Sequence, residues 1–200
     1  MASASATIEL PDAQYRGLRM SAVEFLDLPD DGITYELIDG VVSMSPSPTP
    51  RHQAVTTEIV AQIAWYLRDH PVGRVFAELD VHLGTGPGGG DLVYKPEAIF
   101  IRTERLAGMQ DRVIGAPDLV LEVVSRGSRR FDLQTKKTDY ERFGVREYWV
   151  IDPERSEILV YRLIDGGFAE VRPEGDALPS QAVPGFTLDL QRVRAAFKPW

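Results

Sequence analysis

A mixed α/β protein, with antiparallel hairpins in a sheet flanked by helices, is the fold class this sequence predicts. Three observations carry it. Runs of period-two alternation recur along the chain, two segments show helical apolar stripes, and one nearly continuous apolar run, Pro117 to Ser125, has the composition of a strand covered on both faces.

The elements follow in order. Residues 1–18 read as a loosely attached N-terminal tail, and 19–200 as one domain. Ser21 caps a short helix to Leu28, with Glu24 completing a capping box. Ile33–Ile38 and Val41–Met44 flank Asp39-Gly40, a strong hairpin signal. A Pro-rich break then opens a helix over 51–69 whose stripe is Val55, Ile59, Ile63 and Tyr66/Leu67. Val75–Leu83 alternates as one strand. The Gly-rich 84–90 is a hairpin tip: it lacks the Gly-Lys-Ser/Thr end of a phosphate loop and leads into a strand. Leu92–Ile101 is the next strand, made irregular or edge-placed by Pro96. After the 117–125 strand come a basic helix over about 129–143 stopped by Gly144, a strand over Glu147–Asp152, a second hairpin around Asp165-Gly-Gly, and a C-terminal strand and helix from Phe186.

Composition narrows the chemistry. The chain has no cysteine, which removes disulfides, thiolate catalysis and sulfur-held zinc, and fits a reducing cytoplasm. No segment approaches the roughly 20 apolar residues of a membrane span. The net charge of −8 is unfavourable for nucleic-acid binding as a whole. Locally it reverses: in 126–142, Arg126, Arg129, Arg130, Lys136, Lys137 and Arg142 face Asp132, Asp139 and Glu141, a net +3. Arg126, Arg129, Arg130 and Lys137 are the candidate nucleic-acid contacts.

The run that resembles a buried strand also holds the residue that fits it least. Glu122 alternates with Val120 and Val124, and a buried carboxylate is costly unless something pairs with it. On the following helix Leu133, Lys136, Tyr140 and Phe143 share one face, which turns Lys136 toward the sheet and leaves Lys137 closer to solvent. Glu97, after Pro96, is a second sheet acid. Two acids on adjacent strands with a lysine nearby make a site for Mg²⁺ or Mn²⁺, which take oxygen ligands. The plainer readings are a snorkelling Lys136 or an Asp132–Lys136 pair, and a solvated Glu97 at a strand start. Glu36 reads as a solvent-face strand residue or an acid joining the site, His52 as a helix-start or core histidine or a site member, and Asp118 as a turn acid sharing the parity of Glu122. His70 and His82 read as surface residues, Tyr140 as an orienting group, and Tyr148 and Trp149 as core.

These residues resemble the PD-(D/E)XK nuclease superfamily and, within it, the Uma family of restriction endonucleases. The matching segments are Tyr35-Glu-Leu-Ile-Asp-Gly40, His52, Lys95-Pro-Glu-Ala-Ile-Phe100 and Pro117–Ser125. After them come Asp132, Lys136 and Tyr140 at four-residue spacing, and Gly144–Pro153. The resemblance implies a restriction-endonuclease-like core, with Glu97, Glu122 and Lys136 as the catalytic set and Glu97 and Glu122 holding the metal. Two positions depart from the pattern: Glu97 stands where aspartate is expected, and Val124 where the lysine is expected, the lysine having moved to position 136. The expected activity is metal-dependent hydrolysis of DNA phosphodiester bonds, with a homodimer suited to two strands. The competing readings are a catalytically inactive binding or interaction protein on the same fold and a hydrolase of small phosphoesters.

Overall fold

The computed structural model describes residues 13–109, 111–125, 127–173 and 175–198. The N-terminal helix α1 (Ala22–Leu26) forms as expected, with Ser21 and Glu24 making both halves of the capping box. It packs through Ala22 and Phe25 onto a hairpin of β1 (Tyr35–Ile38) and β2 (Val41–Met44). Asp39 and Gly40 turn this hairpin at positive φ, as an Asp-Gly pair allows. Helix α2 (Pro50–Asp69) follows, capped by Thr49, with Val55, Ile59 and Ile63 fully buried. Each such side chain contributes about 1.5–3 kcal/mol over its exposed state.

The two long strands expected next are each divided. β3 (Gly73–Ala77) and β4 (Val81–Thr85) replace a single Val75–Leu83 strand, and β5 (Asp91–Tyr94) and β6 (Ala98–Arg102) replace Leu92–Ile101. β3 pairs with β6, and β4 with β5, so the four pieces form one two-stranded ribbon bent sharply midway. At the bend Glu78 takes a positive φ, Pro96 removes a ladder donor, and the Glu78 amide donates to the Glu97 carbonyl at 3.2 Å. Beyond the bend the ribbon enters a different sheet.

Helix α3 (Thr103–Leu106) and the short β7 (Val113–Ile114) lead to β8 (Leu119–Val123), buried along its whole length. A π-helical turn (Phe131–Lys136) then runs directly into α4 (Lys137–Phe143), which Gly144 ends in a left-handed conformation. The chain continues as β9 (Glu147–Asp152), the hairpin β10 (Glu157–Ile164) and β11 (Gly167–Val171), the small pair β12 (Ala177–Pro179) and β13 (Thr187–Asp189), and α5 (Leu190–Ala195).

Among the described residues there are two principal sheets. One has the order β2-β1-β5-β4-β7 and the other β11-β10-β9-β8-β6-β3. In the larger sheet β8 lies between antiparallel β6 and parallel β9. Its Leu119, Leu121 and Val123 join α2 and the C-terminal segment in one core, with Phe100, Trp149 and Leu188. Val120 and Val124 face the other core, with Tyr140, Tyr148 and Val150. Tyr148 and Trp149 are therefore core residues, as expected. The Gly-rich tip folds against Asp39. A Cβ at Gly86 would meet its carboxylate at 2.2 Å and one at Gly90 its carbonyl oxygen at 2.2 Å, so glycine is required there for packing. No helix among the described residues is long and apolar enough to cross a membrane.

Candidate active site

Glu122 stands on β8 in the face that alternates with Val120 and Val124, and the chain supplies its partner. The ammonium of Lys136 lies 2.9 Å from Glu122 Oε1, 2.7 Å from Glu36 Oε1 and 3.7 Å from Asp132 Oδ1. All four side chains are buried. Each arrives from a different constraint. Glu36 is on β1, fixed by its pairing with β2 and β5. Lys136 ends the π-helical turn, in which Asp132 and Lys136 are the buried positions and Leu133 is only half-buried; Asp139 and Tyr140 are the buried positions of α4. Four-residue spacing suits the wider π turn and keeps Asp132 and Lys136 on the inner side; such turns are frequent at functional sites.

Tyr140 completes the anchorage, its hydroxyl donating to Glu122 Oε1 at 3.0 Å. Glu122 Oε1 thus accepts from two donors, and Oε2 makes no hydrogen bond among the described residues. Glu36 is arranged likewise: its Oε1 takes the Lys95 amide at 2.9 Å as well as Lys136.

One ammonium among three carboxylates cannot neutralise them all. Burial pushes the Glu122 carboxyl up to about 8; Lys136 opposes the rise, and Asp132 and Glu36 add to it. Asp132 is raised mainly by burial as well. Burial would lower Lys136, but the charges of Glu122, Glu36 and Asp132 prevail and hold it well above an ordinary lysine. One fixed cation therefore stands among three acids, and burial favours the protonated form of both Glu122 and Asp132.

Glu97 lies at the ribbon bend, after Pro96. Its Oε1 is 3.2 Å from His52 Nε2, and its Oε2 accepts from the Thr56 hydroxyl at 3.4 Å. His52 is buried; desolvation would lower its pKa, but the hydrogen bond and charge of Glu97 raise it. Nearby, Lys95 meets Asp80 at 3.5 Å, and burial raises the Asp80 carboxyl despite that lysine.

The expected site residues divide accordingly. Glu122, Lys136, Glu36 and Tyr140 are in direct contact, and Glu97 with His52 forms a neighbouring pair. The solvent-face reading of Glu36 is overturned, because Lys136 and the Lys95 amide bury and satisfy it. Asp118 stands apart at the opposite end of β8, four residues and so roughly 13 Å from Glu122. It is bound there by the Arg102 amide at 3.0 Å, Arg105 at 3.2 Å and Arg146 at 3.3 Å, and it ties loops together.

Of the basic candidates, Arg129 is occupied by Asp152 at 2.9 Å and Glu157 at 2.7 Å. Exposed Arg130 bonds Gln134, and Lys137 lies 4.3 Å over the Tyr161 ring. Arg126 lies outside the described residues. Half-buried His82 is 3.7 Å from Asp91, and exposed His70 stacks on Tyr66, so neither belongs to the site. Sequence reasoning missed Thr56, whose signal was its position four residues after His52, and did not count Asp132 among the site acids.

The carboxylate oxygens suit Mg²⁺ or Mn²⁺ by chemistry. Oε2 of Glu122 and of Glu36 takes part in no hydrogen bond or ion pair among the described residues. Among the described residues, no three His, Asp or Glu side chains are grouped as a ready-made metal site. The acids are gathered instead on the protein's own ammonium and on His52.

Comparison with known proteins agrees with this architecture. A nuclease described as putative and assigned to DUF820, from Anabaena variabilis ATCC 29413, has a solved structure that matches with a TM-score of 0.73. The match covers 90% of this chain and 99% of that one at 21% identity, a likeness of fold. No curated protein matches. The model of the family described as "Uma2: Putative restriction endonuclease" matches residues 22–191, the span that carries α1, both sheets and every side chain of the site, so the chain belongs to the Uma2 family.

Proposed function

We propose that this protein is a metal-dependent endonuclease that hydrolyses DNA phosphodiester bonds. Glu97 and Glu122 are the acids that hold Mg²⁺ or Mn²⁺, and Lys136 is the cation that stabilises the reacting phosphoryl group. The observation that carries the reading is the buried Lys136 ammonium, held at 2.7 and 2.9 Å by acids from two different sheets. Such a charge is costly to bury, and only interactions strengthened in a transition state repay it in rate.

Lys136 is held protonated, so it acts through its charge and does not accept a proton from water. Tyr140 fixes the Glu122 carboxylate in one orientation. A bound divalent ion supplies Lewis acidity toward phosphoryl oxygens and lowers the pKa of a water. Exposed Arg130 and half-exposed Lys137, on the same helical segment as Lys136, are suited to phosphate contacts; Arg129 is committed to Asp152 and Glu157. Cleavage of both strands of a duplex calls for a two-fold pair of protomers.

The test is cleavage of supercoiled plasmid and of a short duplex in Mg²⁺ and in Mn²⁺, with wild type and Glu122→Ala. Metal-dependent nicking by the wild type, abolished in the variant, is expected; retained nicking in Glu122→Ala removes this assignment. A second reading, a binding protein on the nuclease fold, is favoured by one observation: the acids already have internal partners. It predicts DNA binding that falls with salt, no Mn²⁺ uptake by calorimetry, and no cleavage.

A further inference from the structure

Glu97 differs from the other acids of the site in what holds it. Among the described residues, no lysine contacts it. Two groups of α2, one helical turn apart, take one oxygen each: the His52 imidazole at 3.2 Å from Oε1 and the Thr56 hydroxyl at 3.4 Å from Oε2. Both are buried, at 8% and 4% exposure, whereas the Glu97 side chain keeps 19%. The helix presenting them is itself pinned at this end, since Thr49 accepts the His52 amide at 3.2 Å. The backbone of Glu97 is fixed from the other side by the Glu78 amide at 3.2 Å.

From this geometry we infer that His52 and Thr56 are positioning residues, a two-point clamp that sets the Glu97 carboxylate at the metal side of the site. The inference rests on the proposed role of Glu97 as a metal-holding acid. A carboxylate has about four lone-pair directions, two on each oxygen. The clamp uses one per oxygen and leaves one per oxygen for a cation, so it orients the group without saturating it. Outer partners of this kind fix ligand orientation and tune affinity.

The clamp also accounts for glutamate at this position. A glutamate carries one more rotatable bond than an aspartate, and its carboxylate reaches one methylene further. Two donors on α2 remove the added freedom and use the added reach. Glu97→Asp, although it installs the residue that the family pattern expects, would draw the carboxylate out of reach of the two donors.

Two measurements test this. The first is metal-free: crystal structures of Thr56→Val, which keeps the shape of the side chain, and of His52→Ala. The Glu97 carboxylate is expected to leave its position beside α2 in both. An unchanged carboxylate in both overturns the clamp, whatever the protein does with metal. The second is Mn²⁺ titration by calorimetry. Affinity is expected to fall about 10–100-fold in His52→Ala and Thr56→Val, the range typical of lost outer partners. It is expected to fall also in Glu97→Asp, and to return to within a few-fold of wild type in Thr56→Ser and His52→Gln, which restore a donor.

Unchanged affinity in the Ala and Val variants, or Glu97→Asp binding as well as wild type, overturns the proposal. If the wild type takes up no Mn²⁺, it is the metal-dependent reading that fails. The clamp is then decided by the crystal structures alone.

Discussion

Lys136 and Glu36 meet at 2.7 Å although one ends a π-helical turn and the other lies on the first strand of the opposite sheet. Their contact makes the buried ammonium part of the fold's stability as well as of its chemistry. Lys136→Met removes the cation and leaves buried carboxylates uncompensated, which costs about 3–5 kcal/mol. Urea unfolding would read it directly. The double variant Glu122→Gln, Lys136→Met is expected to recover part of the loss, since it removes one acid as well. A loss under about 1 kcal/mol in the single variant would mean the contact contributes little.

Glu122 gives a pH signature of known sign. Burial raises its carboxyl to about 8, above the ordinary 4.5. A folded state that holds its proton more tightly than the unfolded state gains stability that is complete below the lower value and lost as pH rises through the upper one. The melting temperature of the wild type, measured against Glu122→Gln, is therefore expected to fall between about pH 5 and about pH 9. A constant difference over that window refutes the shift. Divalent-ion binding needs the carboxylate, so Mn²⁺ affinity should rise over the same interval.

Tyr140→Phe deletes one hydrogen bond to Glu122 Oε1. That donor favours the charged carboxylate, so its loss moves the titration of Glu122 further up and costs about 1 kcal/mol of stability. The midpoint of the pH dependence is the decisive readout. A midpoint unchanged from wild type would separate the tyrosine from the acid's chemistry.

Asp118→Asn is expected to behave in the opposite manner. Asp118 is fully buried and holds Arg105 and Arg146 at the far end of β8. Removing its charge destabilises the fold by about 3–5 kcal/mol, and Mn²⁺ affinity of the folded protein stays as in wild type. Equal loss of both properties would tie Asp118 to the site.

Much of this architecture was legible from local pattern. The capping box of α1, the Asp39-Gly40 turn, the stripe of α2 and the apolar run around Glu122 depend on neighbours in sequence, and each formed where its residues indicated. The ribbon bend did not show, because alternation continues through Val75–Leu83 whether or not the strand changes sheet; Pro96 was its one local mark. Burial of Glu36 could not be read either. An acid between Tyr35 and Leu37 looks the same in solvent and beside a lysine brought from the other end of the fold. The face through Leu133 was inferred from 3.6-residue periodicity, and the wider π turn shifted full burial to Asp132. Lys136 and Tyr140 survived that shift because four-residue spacing is close to inward-facing in either helix.

The bent ribbon places a restriction on how this chain can vary. Glu97 sits at the crease, and the strands on both sides of it are locked in two separate registers, β3 with β6 and β4 with β5. One residue gained or lost at either elbow would slip one of those registers and turn its side chains to the opposite face. Ile99 would trade places with Phe100, and Glu97 would turn away from α2. The identity of the elbow residues is negotiable in a way their number is not: the spacing between the acids is counted out along the backbone.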